Sequence, residues 1–76
     1  MFDSRALKDL MEATPFRPFK ITLTNGQSYE INHHDNAFVT LFKVEIGLDL
    51  NAEGFARRSV HCALDHIAQI EELQPA

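Results

Sequence analysis

Apolar and polar residues alternate with period two along most of the chain, and only the opening segment follows a different rule. There Leu7, Leu10 and Met11 fall at i, i+3 and i+4, the spacing of a single helical stripe. Asp3 stands where an N-cap is needed, and Phe2 is placed to pack against Leu7 as a hydrophobic staple. The pattern predicts a helix over 3–14 that ends before Pro15. A one-stripe helix of this kind covers one side or the open end of a sheet.

After Pro15-Phe16-Arg17-Pro18, the positions Phe19, Ile21 and Leu23 alternate with Lys20, Thr22 and Thr24, as in a half-buried strand. Asn25-Gly26 marks the turn that follows. A two-residue loop would set Ile21 opposite Glu30 and Thr22 opposite Tyr29, so the apolar faces would disagree. A three-residue loop of Thr24, Asn25 and Gly26, with Gly26 in the left-handed position of a bulge, sets Phe19 against Ile31, Ile21 against Tyr29 and Lys20 against Glu30. Burial of one face selects this second register, because a one-residue slip inverts every side chain.

Asn32-His33-His34-Asp35-Asn36 reads as a polar turn, and Ala37 to Leu41 as a third strand. Val44, Ile46, Leu48 and Leu50 then alternate with Lys43, Glu45, Gly47 and Asp49. The buried phase switches from odd to even near Phe42, which requires either a tight turn there or a bulge in one long bent strand. Asn51-Ala52-Glu53-Gly54 is a further turn. Arg57 to Leu64 is a strand with Val60, Cys62 and Leu64 facing inward. Residues 65–73 fit either a short helix or a 3-10 turn feeding a last strand, the second being the better match to the pattern.

These elements make a mainly β fold with one N-terminal helix. About five short antiparallel strands over 18–73 form a small, strongly bent sheet or a partly open barrel of the Sm or SH3 type, which limits exposed edges. With 76 residues the chain is expected to be a single domain, 1–76, and a domain this short buries only about 60–65% of its unfolded surface. At 45% hydrophobic and 24% charged residues it has globular composition. A core so small invites help from self-association.

The net charge of −4 is uneven: five basic and five acidic residues occupy 1–43, whereas 44–76 hold two basic and six acidic. Such a balance disfavours a nucleic-acid backbone as partner unless the arginines cluster. Cys62 is the sole cysteine, so neither an intrachain disulfide nor a multi-cysteine zinc site can form. The charged opening residues and the lack of a long apolar run predict a cytoplasmic protein that does not enter the membrane.

Three segments carry a resemblance: Pro15-Phe16-Arg17-Pro18-Phe19, the Asn25-Gly26 turn, and His66-Ile67-Ala68-Gln69-Ile70-Glu71. Together they resemble a group of small uncharacterised bacterial proteins that open with a helix, pass through a Pro-Phe-x-Pro-Phe segment into a hairpin, and close on His-Ile-x-x-Ile-Glu. The resemblance spans nearly the whole chain and implies a fold without an activity. Many of that group have His-Pro where His33-His34 stands here. The layout is also similar to Sm-like proteins, which bind RNA as rings. Relative to them Tyr29-Glu30-Ile31 replaces a glycine-bearing strand, and Asp65-His66 replaces an Arg-Gly pair, removing the cation from the implied nucleotide pocket.

The candidate chemistry is sparse. His33, His34, Asp35, His61, Cys62, Asp65 and His66 are residue types that ligate metals, but neighbours on a strand point to opposite faces and no paired ligand spacing occurs. Cys62 with His61 or His66 would suit nucleophilic catalysis, yet its alternation with Val60 and Leu64 marks it as buried. Arg57-Arg58 beside Lys43 reads as a solvated strand end. Phe16 and Phe19 about Arg17 read as core plugs rather than a base-stacking platform. No cofactor, metal site or catalytic set is expected. His33, His34, Asp35, Asn36, Asp65 and His66 remain as candidate loop residues for a ligand or RNA. The favoured function is a non-enzymatic module acting through protein contacts, as a homo-oligomer or with another protein. An Sm-like RNA binder is the alternative, and a metal-dependent hydrolase the weaker one.

Overall fold

A computed structural model describes residues 3–73 of the chain. Helix α1, Ser4–Glu12, is capped by the Asp3 carboxylate, which accepts the Arg5 backbone N–H at 3.0 Å. It ends at Glu12, two residues short of the expected limit, and at Ala13 the backbone is already extended ahead of a cis Thr14–Pro15 bond. Leu7 and Met11 are its buried residues, and Leu10 packs at the margin of the core. The Phe2 staple lies outside the described residues.

Six strands follow: β1 Phe19–Leu23, β2 Ser28–Ile31, β3 Ala37–Val39, β4 Lys43–Leu50, β5 Ala56–Ala63 and β6 Ile67–Glu72. A single 3-10 turn, Leu64–His66, separates the last two. The strands divide into two antiparallel three-stranded sheets, β2-β1-β6 and β3-β4-β5. Over the described residues the fold is thus mainly β with one N-terminal helix, as the pattern predicts, with six strands instead of about five and without a closed barrel. The final segment is the 3-10 turn and strand.

The first hairpin takes the bulged register. Phe19 pairs with Ile31, Lys20 with Glu30, Ile21 with Tyr29 and Thr22 with Ser28. The Gly26 N–H donates to the Leu23 carbonyl at 2.9 Å, and Gly26 has φ of 91°. Asn25 closes the loop by accepting the Gln27 N–H on its side-chain oxygen. On the other side of β1, Ile21 meets Ile70, so the central strand presents one apolar face to both neighbours. Lys20 finds its ion partner on β6, with Glu71 Oε1 at 3.6 Å from its Nζ, rather than in Glu30 opposite. Ala68 is an extra residue in β6, since the register shifts between Thr22 opposite Gln69 and Leu23 opposite Ile67.

The phase change near Phe42 is a turn. Thr40 N–H donates to the Lys43 carbonyl at 2.9 Å, which reverses the chain between β3 and β4 and leaves Leu41 and Phe42 exposed. Val44, Ile46, Cys62 and Leu64 from this second half of the chain join Phe19, Ile21 and Ile31 from the first in one buried cluster. Full burial of each aliphatic or aromatic side chain contributes about 1.5–3 kcal/mol. Phe16 packs beside Phe19 with ring centroids 6.0 Å apart, so the aromatic pair around Arg17 plugs the core.

Candidate functional site

The outer face of the β3-β4-β5 sheet carries a cleft of about 650 Å³. Its shape follows from two local features. Asp49 has φ of 54°, a left-handed conformation that bends the end of β4. Leu50, inward by alternation, is thereby turned out to the surface and becomes part of the cleft wall. Gly47 supplies the second feature: a Cβ there would sit 3.0 Å from the Cβ of Ala56 and 3.8 Å from Leu50 Cδ2. The bent hairpin tip can fold over the sheet because this position has no side chain. Asp49 is held by Arg58, whose Nε donates to Oδ2 at 2.7 Å.

The opposite wall is the turn between β2 and β3. Asn36 anchors it: its Oδ1 accepts the Asn32 N–H at 3.2 Å, and its Nδ2 donates to the Gly47 carbonyl at 2.9 Å. The Asn36 backbone N–H bonds to the His33 carbonyl at 3.1 Å. With 8% of its surface exposed, Asn36 is the buried polar residue of the described chain. His34 and Asp35 project from the same turn, exposed, with Nδ1 and Oδ1 2.9 Å apart.

Between the walls runs a row of outward residues across three strands. Phe38 lies opposite Glu45, and Glu45 opposite His61. Glu45 Oε2 accepts the Ser59 hydroxyl at 3.1 Å and lies 3.3 Å from His61 Nε2. A nucleophilic triad needs an imidazole against the hydroxyl and a carboxylate behind it. Here both groups converge on one carboxylate oxygen, so the Ser59 hydroxyl donates to Glu45 and not to an imidazole. The arrangement holds a carboxylate in place beside an aromatic ring.

Of the candidate residues drawn from the sequence, the structure gathers His34, Asp35 and Asn36 in this cleft, and Asn36 serves it structurally. His33 contributes its backbone carbonyl to the turn and does not line the cleft. Asp65 and His66 lie elsewhere, in the 3-10 turn, where the His66 carbonyl accepts the Thr24 N–H at 2.8 Å beside the first hairpin. Among the described residues no group of three or more His, Cys, Asp or Glu side chains could hold a metal ion. Cys62 is buried, and burial pushes its thiol pKa up, away from thiolate chemistry.

Glu45, Arg58, Ser59, Phe38 and Phe55 were not singled out as a site by sequence reasoning. The signal for Phe38 is in the pattern: it occupies an even, outward position on a strand whose odd positions face the core. No helix among the described residues is long and apolar enough to cross a membrane. No family model, no curated protein and no solved structure matches the chain.

Proposed function

We propose that this chain is a small β module that acts through protein contacts and assembles with copies of itself by pairing strand edges. The observation that carries the reading is the charge on two edges. β5 and β6 are each the terminal strand of their sheet, and β5 bears Arg57 and Arg58 where β6 bears Glu71 and Glu72. An exposed edge is a template for another strand, and opposite charges choose the partner. Aligned antiparallel so that the part-buried Val60 of one copy meets Ile70 of the next, Arg58, whose Nε is bonded to Asp49 of its own chain, falls opposite Glu72 as a second carboxylate for its remaining N–H groups, and Ser59 falls opposite Glu71. A head-to-tail contact of this type repeats, and closes into a ring when the rotation allows.

The strand order supports a likeness to Sm- and SH3-type small barrels, because β2 and β3 pass in sequence from one sheet to the other and a 3-10 turn precedes the last strand. The RNA-binding version of that likeness draws less support. The Asn36 side-chain amide is already spent on Asn32 and Gly47, and Asp35 and Glu45 would repel phosphate.

Sedimentation of the purified chain tests the edge pairing. An assembly of defined mass is expected, which falls apart in the R57E/R58E variant and re-forms when that variant is mixed with E71R/E72R. A monodisperse monomer at high concentration would sink the reading, as would an assembly indifferent to both charge reversals.

A further inference from the structure

Phe38 is 68% exposed and Phe55 70% exposed, an unfavourable state for two phenyl rings on so small a surface. Both line the cleft on the β3-β4-β5 face, together with Leu50. Directly opposite Phe38 in the strand register stands Glu45, whose Cβ in such a pair lies about 4.5–5.5 Å away. Asp35 adds a second carboxylate from the β2–β3 turn. The guanidinium among the lining residues, that of Arg58, is committed to Asp49 at 2.7 Å. The cleft therefore combines aromatic walls with carboxylates that no lysine or arginine of its own lining neutralises.

One kind of occupant suits both features. An apolar group would cover the rings but strip water from Glu45 without replacing its hydrogen bonds. An anion would be repelled. A cationic side chain is attracted to ring faces and carboxylate alike, and its methylene stem buries along apolar walls while the charged head keeps polar partners. Glu45 is prepared for this role: Ser59 and His61 both approach the same oxygen, Oε2, and fix the carboxylate's orientation before any ligand arrives. A volume of about 650 Å³ exceeds one guanidinium or ammonium and leaves room for flanking backbone.

We infer that this cleft is a docking site for an arginine- or lysine-bearing peptide segment of a partner protein, with the cation against Glu45 and Asp35 and its stem between Phe38 and Phe55. The site lies on the sheet face and shares Arg58 and Ser59 with the β5 edge, whereas its carboxylates and rings, Glu45, Asp35, Phe38 and Phe55, belong to neither the β5 nor the β6 strand.

The test is an NMR titration of the full isotope-labelled chain with capped pentapeptides Ala-Ala-X-Ala-Ala, where X is arginine, lysine, citrulline or glutamate. Arginine and lysine peptides are expected to shift the amides of Phe38, Glu45, Gly47, Phe55 and Ser59 saturably. Citrulline, which keeps the shape and loses the charge, and glutamate should bind at least about tenfold more weakly, a difference of about 1.4 kcal/mol. E45Q should reduce arginine-peptide affinity by a similar factor with the rest of the spectrum superimposable, and F38A/F55A should do the same. Equal binding of citrulline and arginine would overturn the inference, as would shifts confined to other surfaces or no saturable change up to about 10 mM peptide. So would a change in the sedimentation of the chain on E45Q, which would assign the cleft to a contact between copies.

Discussion

Asn36 and Gly47 are tied in both directions: the Asn36 Nδ2 donates to the Gly47 carbonyl at 2.9 Å, and the Gly47 N–H donates to the Asn36 carbonyl at 2.8 Å. This double link fixes the turn between the two sheets to the middle of β4, and so sets one wall of the cleft relative to its floor. Asn36→Ala removes the side-chain half of the link and leaves the Gly47 carbonyl and Asn32 N–H without their partner. A loss of about 1–3 kcal/mol follows, read by urea denaturation. Asn36→Asp keeps the acceptor for Asn32 but sets a carboxylate against a carbonyl, so it should cost at least as much. If Asn36→Ala unfolds at the wild-type midpoint, the turn is held by something else.

Gly47 is constrained from its other side by Ala56. Gly47→Ala brings two Cβ atoms to 3.0 Å, closer than side chains pack, and overpacking of this kind costs about 1–3 kcal/mol. The double variant Gly47→Ala/Ala56→Gly relieves the contact while keeping the atom count. It should recover most of the stability lost by Gly47→Ala alone, giving a favourable coupling in a double-mutant cycle. Additive effects would show that the hairpin tip does not fold over Gly47.

How far the chain could be read from its sequence depended on what each side chain had to satisfy. The β1–β2 register was legible because Phe19, Ile21, Tyr29 and Ile31 share one buried face, and only one loop length lets them do so. Leu50 was misplaced because alternation assumes a regular strand, and Asp49 at φ 54° breaks that regularity without the glycine that would have signalled it. The division of 37–50 into β3 and β4 hid behind the phase change at Phe42, which a bulge or a turn satisfies equally well on paper. His33, His34, Asp35, Asn36, Asp65 and His66 drew attention as polar loop residues, yet Asn36 works inward and Asp65 and His66 flank another hairpin. Glu45, Ser59 and Arg58 looked like ordinary solvated strand positions. Only the pairing of β4 with β5 reveals that Glu45 faces His61 and lies beside Ser59.

The first hairpin offers a test of its own. Gly26 has φ of 91° with no atom within 4 Å of where a Cβ would be, so a substitution there meets backbone strain and nothing else. Gly26→Ala should destabilise by about 1–2 kcal/mol. Gly26→Asn should cost less, because asparagine tolerates the left-handed region. Equal losses for the two variants would mean that the cost comes from a side-chain clash instead, contrary to the bulged loop.

Cys62 gives the prediction with a defined pH window. Its thiol is buried among Val44, Leu64 and their neighbours, and desolvation raises its pKa in the folded chain above the ordinary value of 9.0. Between those two values the unfolded chain releases the thiol proton while the folded chain keeps it, so the folded state binds more protons. Stability then falls as pH rises. The contribution is fully present below pH 9.0, declines from there, and levels off once pH passes the raised value. Lysine and tyrosine titrate in the same region, so the measurement is a difference: chemical denaturation of the chain and of Cys62→Ala side by side from neutral to alkaline pH. Cys62→Ala should be less stable at neutral pH, for lack of the sulfur's packing, and the gap should narrow as pH rises. A gap that stays constant across the range would place the thiol in contact with water. Alkylation of the folded chain provides a second reading, expected to be slow until the protein is unfolded.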